Sequence, residues 1–194
     1  DKIGGTDKME EAKNIFLILD ELRENAKQVD NDGLKAVETL ITEANRIFIG
    51  GAGRSGFCAR GFSNRLMHLG YTVYFVGEPT TPSIQAGDLL IVGSGSGNTA
   101  SLVSNVKKAK DQGAKVATLT MFPENKIGSM ADAIIKIPGV TEKCADQNEG
   151  GSVQASGSSF EELCWITYDA MVMDLMKITN QIDQDLFKRH ANME

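Results

Sequence analysis

Arg46–Arg60 reads RIFIGGAGRSGFCAR, and Asp88–Gln112 reads DLLIVGSGSGNTASLVSNVKKAKDQ. Each is a short apolar run halted by a glycine- and serine-rich turn and resumed with helical spacing, so each is a strand–loop–helix unit. Five strands follow from such runs: Arg46–Gly50, Thr72–Val76, Asp88–Gly93, Lys115–Thr120 and Ala133–Ile137. Helices fill the gaps, one from the first loop through Met67 and one over Ala100–Gln112. Apolar strands alternating with helices predict a parallel sheet covered on both faces.

Outside this core the period is helical. Met9 to about Gln28 (with IFLILDEL) and Gly33–Ala44 (Leu34, Val37, Leu40 and Ile41 on one face) read as amphipathic helices, separated by the break Asp30-Asn31-Asp32-Gly33. Cys144–Ser159, rich in Gly, Ser, Gln and Asn, reads as a loop, followed by a strong helix from about Ser159 to Lys177 and a short one over Ile182–His190. The expectation is a single domain over 1–194, a three-layer α/β/α fold with a five-stranded parallel sheet in the flavodoxin-like order 2-1-3-4-5. Residues 1–45 would be N-terminal helices, 46–140 the sheet core and 158–194 C-terminal helices.

In that order strands 1 and 3 are neighbours at the switch point, and their loops face one crevice. Both loops place unpaired N–H groups at a helix N-terminus, where the dipole favours an anion. Ser55, Ser94, Ser96 and Thr99 add hydroxyl donors, so two loops on one phosphate is the economical reading. Gly51-x-Gly53-x-x-Gly56 also matches a dinucleotide fingerprint, with Glu78 lying 22 residues beyond Gly56. Against that stand the second loop, which would crowd the crevice, and a chain too short for an added substrate domain.

Composition narrows the partners. The 194 residues are 41% hydrophobic and 24% charged, an ordinary globular balance, and the net charge of −6 argues against a broad nucleic-acid surface. No apolar run approaches the roughly 20 residues of a membrane span, and no secretory start is evident. The chain begins at Asp1 rather than Met, so native residues are expected upstream. Cys58, Cys144 and Cys164 form no CxxC pair or metal spacing, which fits a reduced, cytoplasmic setting, with Cys58 and Cys164 as core thiols.

At Gly51–Gly56, Arg65–Tyr71 (RLMHLGY), Val76–Pro82 (VGEPTTP), Asp88–Thr99 and Phe187–Glu194 (FKRHANME) the sequence closely resembles the 6-phospho-3-hexuloisomerases, small members of the SIS (sugar isomerase) domain superfamily. The resemblance spans nearly the whole chain. It implies the SIS fold, a homotetramer, and interconversion of D-arabino-3-hexulose 6-phosphate and fructose 6-phosphate in formaldehyde fixation by the ribulose monophosphate route, with no metal and no organic cofactor. It further implies that Gly53, Arg54 and Ser55, with Ser94, Gly95, Ser96, Gly97, Asn98 and Thr99, hold the phosphate. Glu161 would be the catalytic base, assisted by His68 or His190. Where the family pattern runs close to Gln-Pro-Met-Gly-Ser-Leu-Phe-Glu, this chain has Gln154-Ala-Ser-Gly-Ser-Ser-Phe-Glu161, which suggests a looser loop before the base.

The residues themselves leave these roles open. Ser158-x-x-Glu161 and Ser159-x-x-Glu162 both read as capping boxes, and capping alone would explain either glutamate. His68 suits a helix C-terminus and His190 an exposed basic tail, Lys188-Arg189-His190. Arg54 is a candidate cation for phosphate or oxyanion, or a surface residue. Glu78 either contacts substrate hydroxyls or shapes its turn. The Phe160–Met176 helix is apolar on several sides, which suggests burial against a second subunit as well as the core. Rival functions are another phosphosugar aldose–ketose isomerase and a non-catalytic sugar-phosphate sensor. Some 45 residues, neither basic nor patterned as a DNA reader, precede the first strand.

Overall fold

The computed structural model describes residues 12–193. The elements run α1 (Lys13–Ala26), α2 (Asn31–Glu43), β1 (Ile47–Gly51), α3 (Gly53–His68), β2 (Val73–Phe75), β3 (Leu89–Gly93), α4 (Ala100–Asp111), β4 (Lys115–Thr120), β5 (Ala133–Lys136), α5 (Ser158–Ile178) and α6 (Asp183–Phe187). Every strand and helix expected from the sequence is present, with ends moved by a residue or two and α6 cut back at its C-terminus. Met9–Glu11, placed in the first helix by the sequence, lie outside the described residues.

All five strands are parallel, in the order β2-β1-β3-β4-β5. Alternation along the strands sorts the core into two layers. Ile47, Ile49, Leu89, Ile91 and Leu119 face the layer formed by α1, α2, α3 and α5. Phe48, Leu90, Val92 and Val116 face α4, through Leu102, Val103, Val106 and Ala109. Strands buried on both faces explain the continuous apolar runs that stood in for alternation in the sequence.

The break at 30–33 is narrower than the sequence suggested. Asp30 alone is the cap, its carboxylate accepting from the N–H groups of Asp32 and Gly33 at 3.1 Å each, and α2 starts at the next residue. Gly33 is therefore helical. Its absent side chain lets α2 press on β5, since a Cβ there would stand 2.5 Å from the carbonyl oxygen of Ile134.

Candidate active site

β1 and β3 lie side by side with Gly50 opposite Val92 and Gly51 opposite Gly93, so both chains leave the sheet at one level. After β1 the turn folds directly onto the start of α3. A Cβ on Gly51 would meet Cα of Gly56 at 2.8 Å, and Gly53 takes a φ of +56°. Close packing thus accounts for the fingerprint glycines without a dinucleotide. Glu78 is paired with Arg60 on α3.

The loop after β3 rests on the segment that follows β4. The Met121 N–H donates to the Gly95 carbonyl at 3.1 Å, Asn125 Nδ2 to the Ser96 carbonyl at 2.8 Å, and the Ile127 N–H to the Gly97 carbonyl at 2.9 Å. These bonds use up the loop's carbonyls on one side and leave its other side to the crevice.

Both loops line one cavity of about 440 Å³, a size suited to a small metabolite. Gly53, Arg54 and Ser55 come from the first loop, Ser94, Gly95, Ser96 and Thr99 from the second, and Glu161 closes the side toward α5. Gly97 and Asn98 are not on its wall. Gly97 makes the turn with a φ of +64°, and Asn98 Oδ1 accepts the Lys126 N–H at 3.3 Å. Ser94 is 3% exposed, and its hydroxyl is buried with no hydrogen-bond partner among the described residues, whereas Ser96 Oγ accepts from the Asn98 N–H. The Ser94 hydroxyl is an unsatisfied polar group on a residue of the cavity wall.

Glu161 lies in the first turn of α5, but neither capping box forms. The cap is Gly157 in the left-handed region, φ +85°, with no side-chain bond to the helix start. The Glu161 carboxylate turns outward to the cavity, largely shielded from solvent, and Oε2 accepts from Arg54 Nε. That hydrogen bond, with the carboxylate's charge, holds the Arg54 guanidinium above its ordinary pKa. Arg54, read from the sequence as a cation for phosphate or oxyanion or as a surface residue, stands on the cavity wall and is paired with Glu161. Cys58 donates Sγ–H to the Glu161 carbonyl at 3.2 Å, and burial, then the carboxylate's charge, pushes its thiol up. Cys164 is fully buried and is pushed up further by the same desolvation. Both are core thiols, as read from the sequence.

The segment before α5 is cross-tied where the sequence suggested looseness. A short 3₁₀ stretch, Glu142–Gln147, runs into the region expected as loop. The Glu142 N–H donates to Ser156 Oγ at 3.0 Å, the Gly157 N–H to the Val140 carbonyl at 2.9 Å, and the Thr141 N–H to Asn148 Oδ1 at 2.9 Å. Ser156, standing where the family pattern has methionine, thus supplies one of the ties. This segment brings Thr141, Glu142, Lys143 and Ser156 to the cavity wall, none of which the sequence singled out. Their only advance sign was a polar stretch leading into Glu161.

The two histidines meet each other instead of Glu161. α3 begins at the cavity and ends at His68, 15 residues on, roughly 22 Å away at 1.5 Å per residue. His68 is 3% exposed and stacks on His190 at 5.3 Å between ring centroids. Burial lowers the His68 pKa, with His190 and Arg65 adding to the effect. Arg189 fixes the contact by donating to the His68 carbonyl and to Gln181 Oε1, both at 3.0 Å.

Known proteins share this fold and much of this sequence. A model of the SIS domain family matches residues 40–161. The chain is 40% identical over 188 residues to the 3-hexulose-6-phosphate isomerase of Bacillus subtilis (strain 168), covering 96% of this chain and 100% of that protein. It is 38% identical over 181 residues to the enzyme of that name from Mycobacterium gastri, covering 93% and 90%. Among solved structures it resembles a hypothetical protein of Methanococcus jannaschii, with a TM-score of 0.75, 35% identity and coverage of 93% and 96%. A molecular function of 3-hexulose-6-phosphate isomerase was inferred for that protein from its crystal structure.

Proposed function

The chain belongs to the SIS domain family and, within it, to the 3-hexulose-6-phosphate isomerases, and from that membership we propose that it interconverts D-arabino-3-hexulose 6-phosphate and fructose 6-phosphate. The carrying observation is the meeting of Ser55, Ser94, Ser96 and Thr99 with Glu161 around one cavity. The loops and the two helix N-termini take the phosphoryl group. The sugar chain then extends toward Glu161.

Glu161 removes the proton from carbon 2, and the C–H electron pair forms the double bond to carbon 3 as the carbonyl oxygen becomes the enediolate oxygen. The hydroxyl proton on the carbon 2 oxygen passes to the carbon 3 oxygen, and returning the carbon-bound proton to carbon 3 while carbon 2 becomes the carbonyl completes the exchange. Electrons stay within the substrate, so the step calls for no redox carrier. Arg54 fixes the carboxylate, and backbone amides of the loops offset charge on the oxygens. This activity places the protein in formaldehyde assimilation by the ribulose monophosphate pathway.

The working form is a cytoplasmic homotetramer, acting on a small phosphosugar and binding neither nucleic acid nor membrane. Large apolar side chains on one side support assembly. Phe57, Trp165, Ile166 and Met173 are exposed on α3 and α5, and Ile15 and Phe16 on α1. Phe57, Trp165 and Ile166 line an apolar recess that also touches Arg54 and Glu161, so a subunit seated there adjoins the catalytic carboxylate. With His68 and His190 distant from their own cavity, their assistance is to a neighbour's site. Among the described residues no helix is long and apolar enough to cross a membrane.

The test is a coupled assay for fructose 6-phosphate with Glu161→Gln. Loss of about a thousandfold or more in kcat, with phosphosugar binding retained by calorimetry, is the expected result. Binding without turnover in the wild type would make the protein a sensor and end the isomerase reading.

A further inference from the structure

Two cations and two carboxylates line the cavity: Arg54, Lys143, Glu142 and Glu161. A phosphate monoester brings roughly 1.5 to 2 negative charges at neutral pH. The loops answer it with neutral amides and hydroxyls, and Arg54 is already committed to Glu161 through its Nε–H. Lys143 differs. Its backbone N–H donates to Thr141 Oγ1 at 3.3 Å, which fixes the residue in the 3₁₀ stretch, while among the described residues its ammonium group makes no ion pair. The segment carrying it is tied through Ser156 and Gly157 to the start of α5, and hence to the base.

We propose that Lys143 is a specificity residue that supplies the cationic contact to the substrate's phosphoryl group, which leaves Arg54 on the carboxylate. A lysine suits this task as a compact charge that needs no bidentate geometry. It reaches the anion from the segment before α5, and so adds a charge to the contacts that the glycine-rich loops make. The division of labour has a kinetic signature: the phosphate contact is made equally in ground and transition states and acts on KM, whereas Arg54 acts on kcat. The proposal rests on the isomerase reading only for its turnover measurements.

The experiment measures calorimetric binding of inorganic phosphate, and KM and kcat for fructose 6-phosphate, in wild type, Lys143→Gln, Lys143→Arg and Lys107→Gln. Lys107 is an exposed lysine of α4 that is not on the cavity wall. Lys143→Gln should weaken phosphate binding and raise KM in parallel, by about tenfold or more, with kcat within about threefold. Lys143→Arg should recover most of the binding, and Lys107→Gln should match wild type. Unchanged phosphate affinity in a folded Lys143→Gln protein would overturn the proposal, as would an equal loss in Lys107→Gln. Should wild type bind phosphate yet turn over no sugar phosphate, the isomerase reading fails while the calorimetric comparison still decides the role of Lys143.

Discussion

Arg54 Nε donates to Glu161 Oε2, joining the first turn of α3 to the first turn of α5 beside the cavity. A base that must serve two adjacent carbons needs a fixed starting position, and a planar guanidinium fixes a carboxylate better than water does. Arg54→Ala should lower kcat about 10- to 100-fold and move KM for fructose 6-phosphate much less. Arg54→Lys should restore little, because an ammonium on a flexible stem cannot present the same N–H. Steady-state kinetics decide it; a loss confined to KM would return Arg54 to the phosphate.

Ser94 gives a prediction with opposite signs for stability and for binding. Its buried hydroxyl has no hydrogen-bond partner among the described residues, and such groups destabilise a fold by about 1–3 kcal/mol. Ser94→Ala should therefore leave the thermal midpoint unchanged or raise it, while KM rises about tenfold. A lower midpoint with KM intact would show that the hydroxyl serves the fold.

The strand order and the convergence of the two glycine- and serine-rich loops on one cavity were legible because the same residues carry both messages: apolar runs stopped by glycine announce a parallel strand, and glycine beside serine announces an open turn. What stayed hidden depended on distant partners. The serines at 158 and 159 fit a capping box, yet Gly157 takes the cap because only glycine accepts its φ of +85° without strain. Lys143 sits in no motif; it reaches the cavity through the fold of the segment before α5. His68 and His190 could not be placed from spacing, since their stacking depends on Arg189 and Gln181 docking the chain end.

Gly33, read from the sequence as the last residue of the break and the start of the second helix, is a packing residue. Replacing it with alanine improves helix propensity by about 1 kcal/mol. The new methyl would stand 2.5 Å from the Ile134 carbonyl oxygen, however, and backbone of a central layer cannot rotate away as a side chain could. Overpacking of this kind costs about 1–3 kcal/mol, and with the partner immobile the upper end applies. Gly33→Ala should be destabilised by about 2 kcal/mol in urea denaturation, where propensity alone would stabilise it.

His68 makes stability depend on pH. Burial, with His190 and Arg65, lowers its pKa below the ordinary value of 6.5. Between the folded and unfolded values the unfolded chain binds more protons, so stability rises with pH. The contribution is complete above about pH 6.5 and is lost as pH falls through the folded value. Urea midpoints of wild type should fall on acidification from pH 7 to 5.5, and His68→Gln should fall less; parallel curves would remove His68 from the account.

Phe57 tests the assembly face. It is 67% exposed on α3, beside Trp165, the single tryptophan of the chain, at 45%. Burying a large apolar side chain contributes about 1.5–3 kcal/mol, and a symmetric interface counts it twice. A buried unpaired carboxylate adds a further penalty, so Phe57→Glu should weaken association by at least about a hundredfold and yield smaller species in sedimentation at micromolar protein. Emission from Trp165 should shift to the red as its surroundings hydrate. Because the recess it helps to form adjoins Arg54 and Glu161, turnover should fall with assembly and recover at high protein concentration. A variant that sediments as wild type would move the subunit contact to another face and leave Phe57 to a different partner.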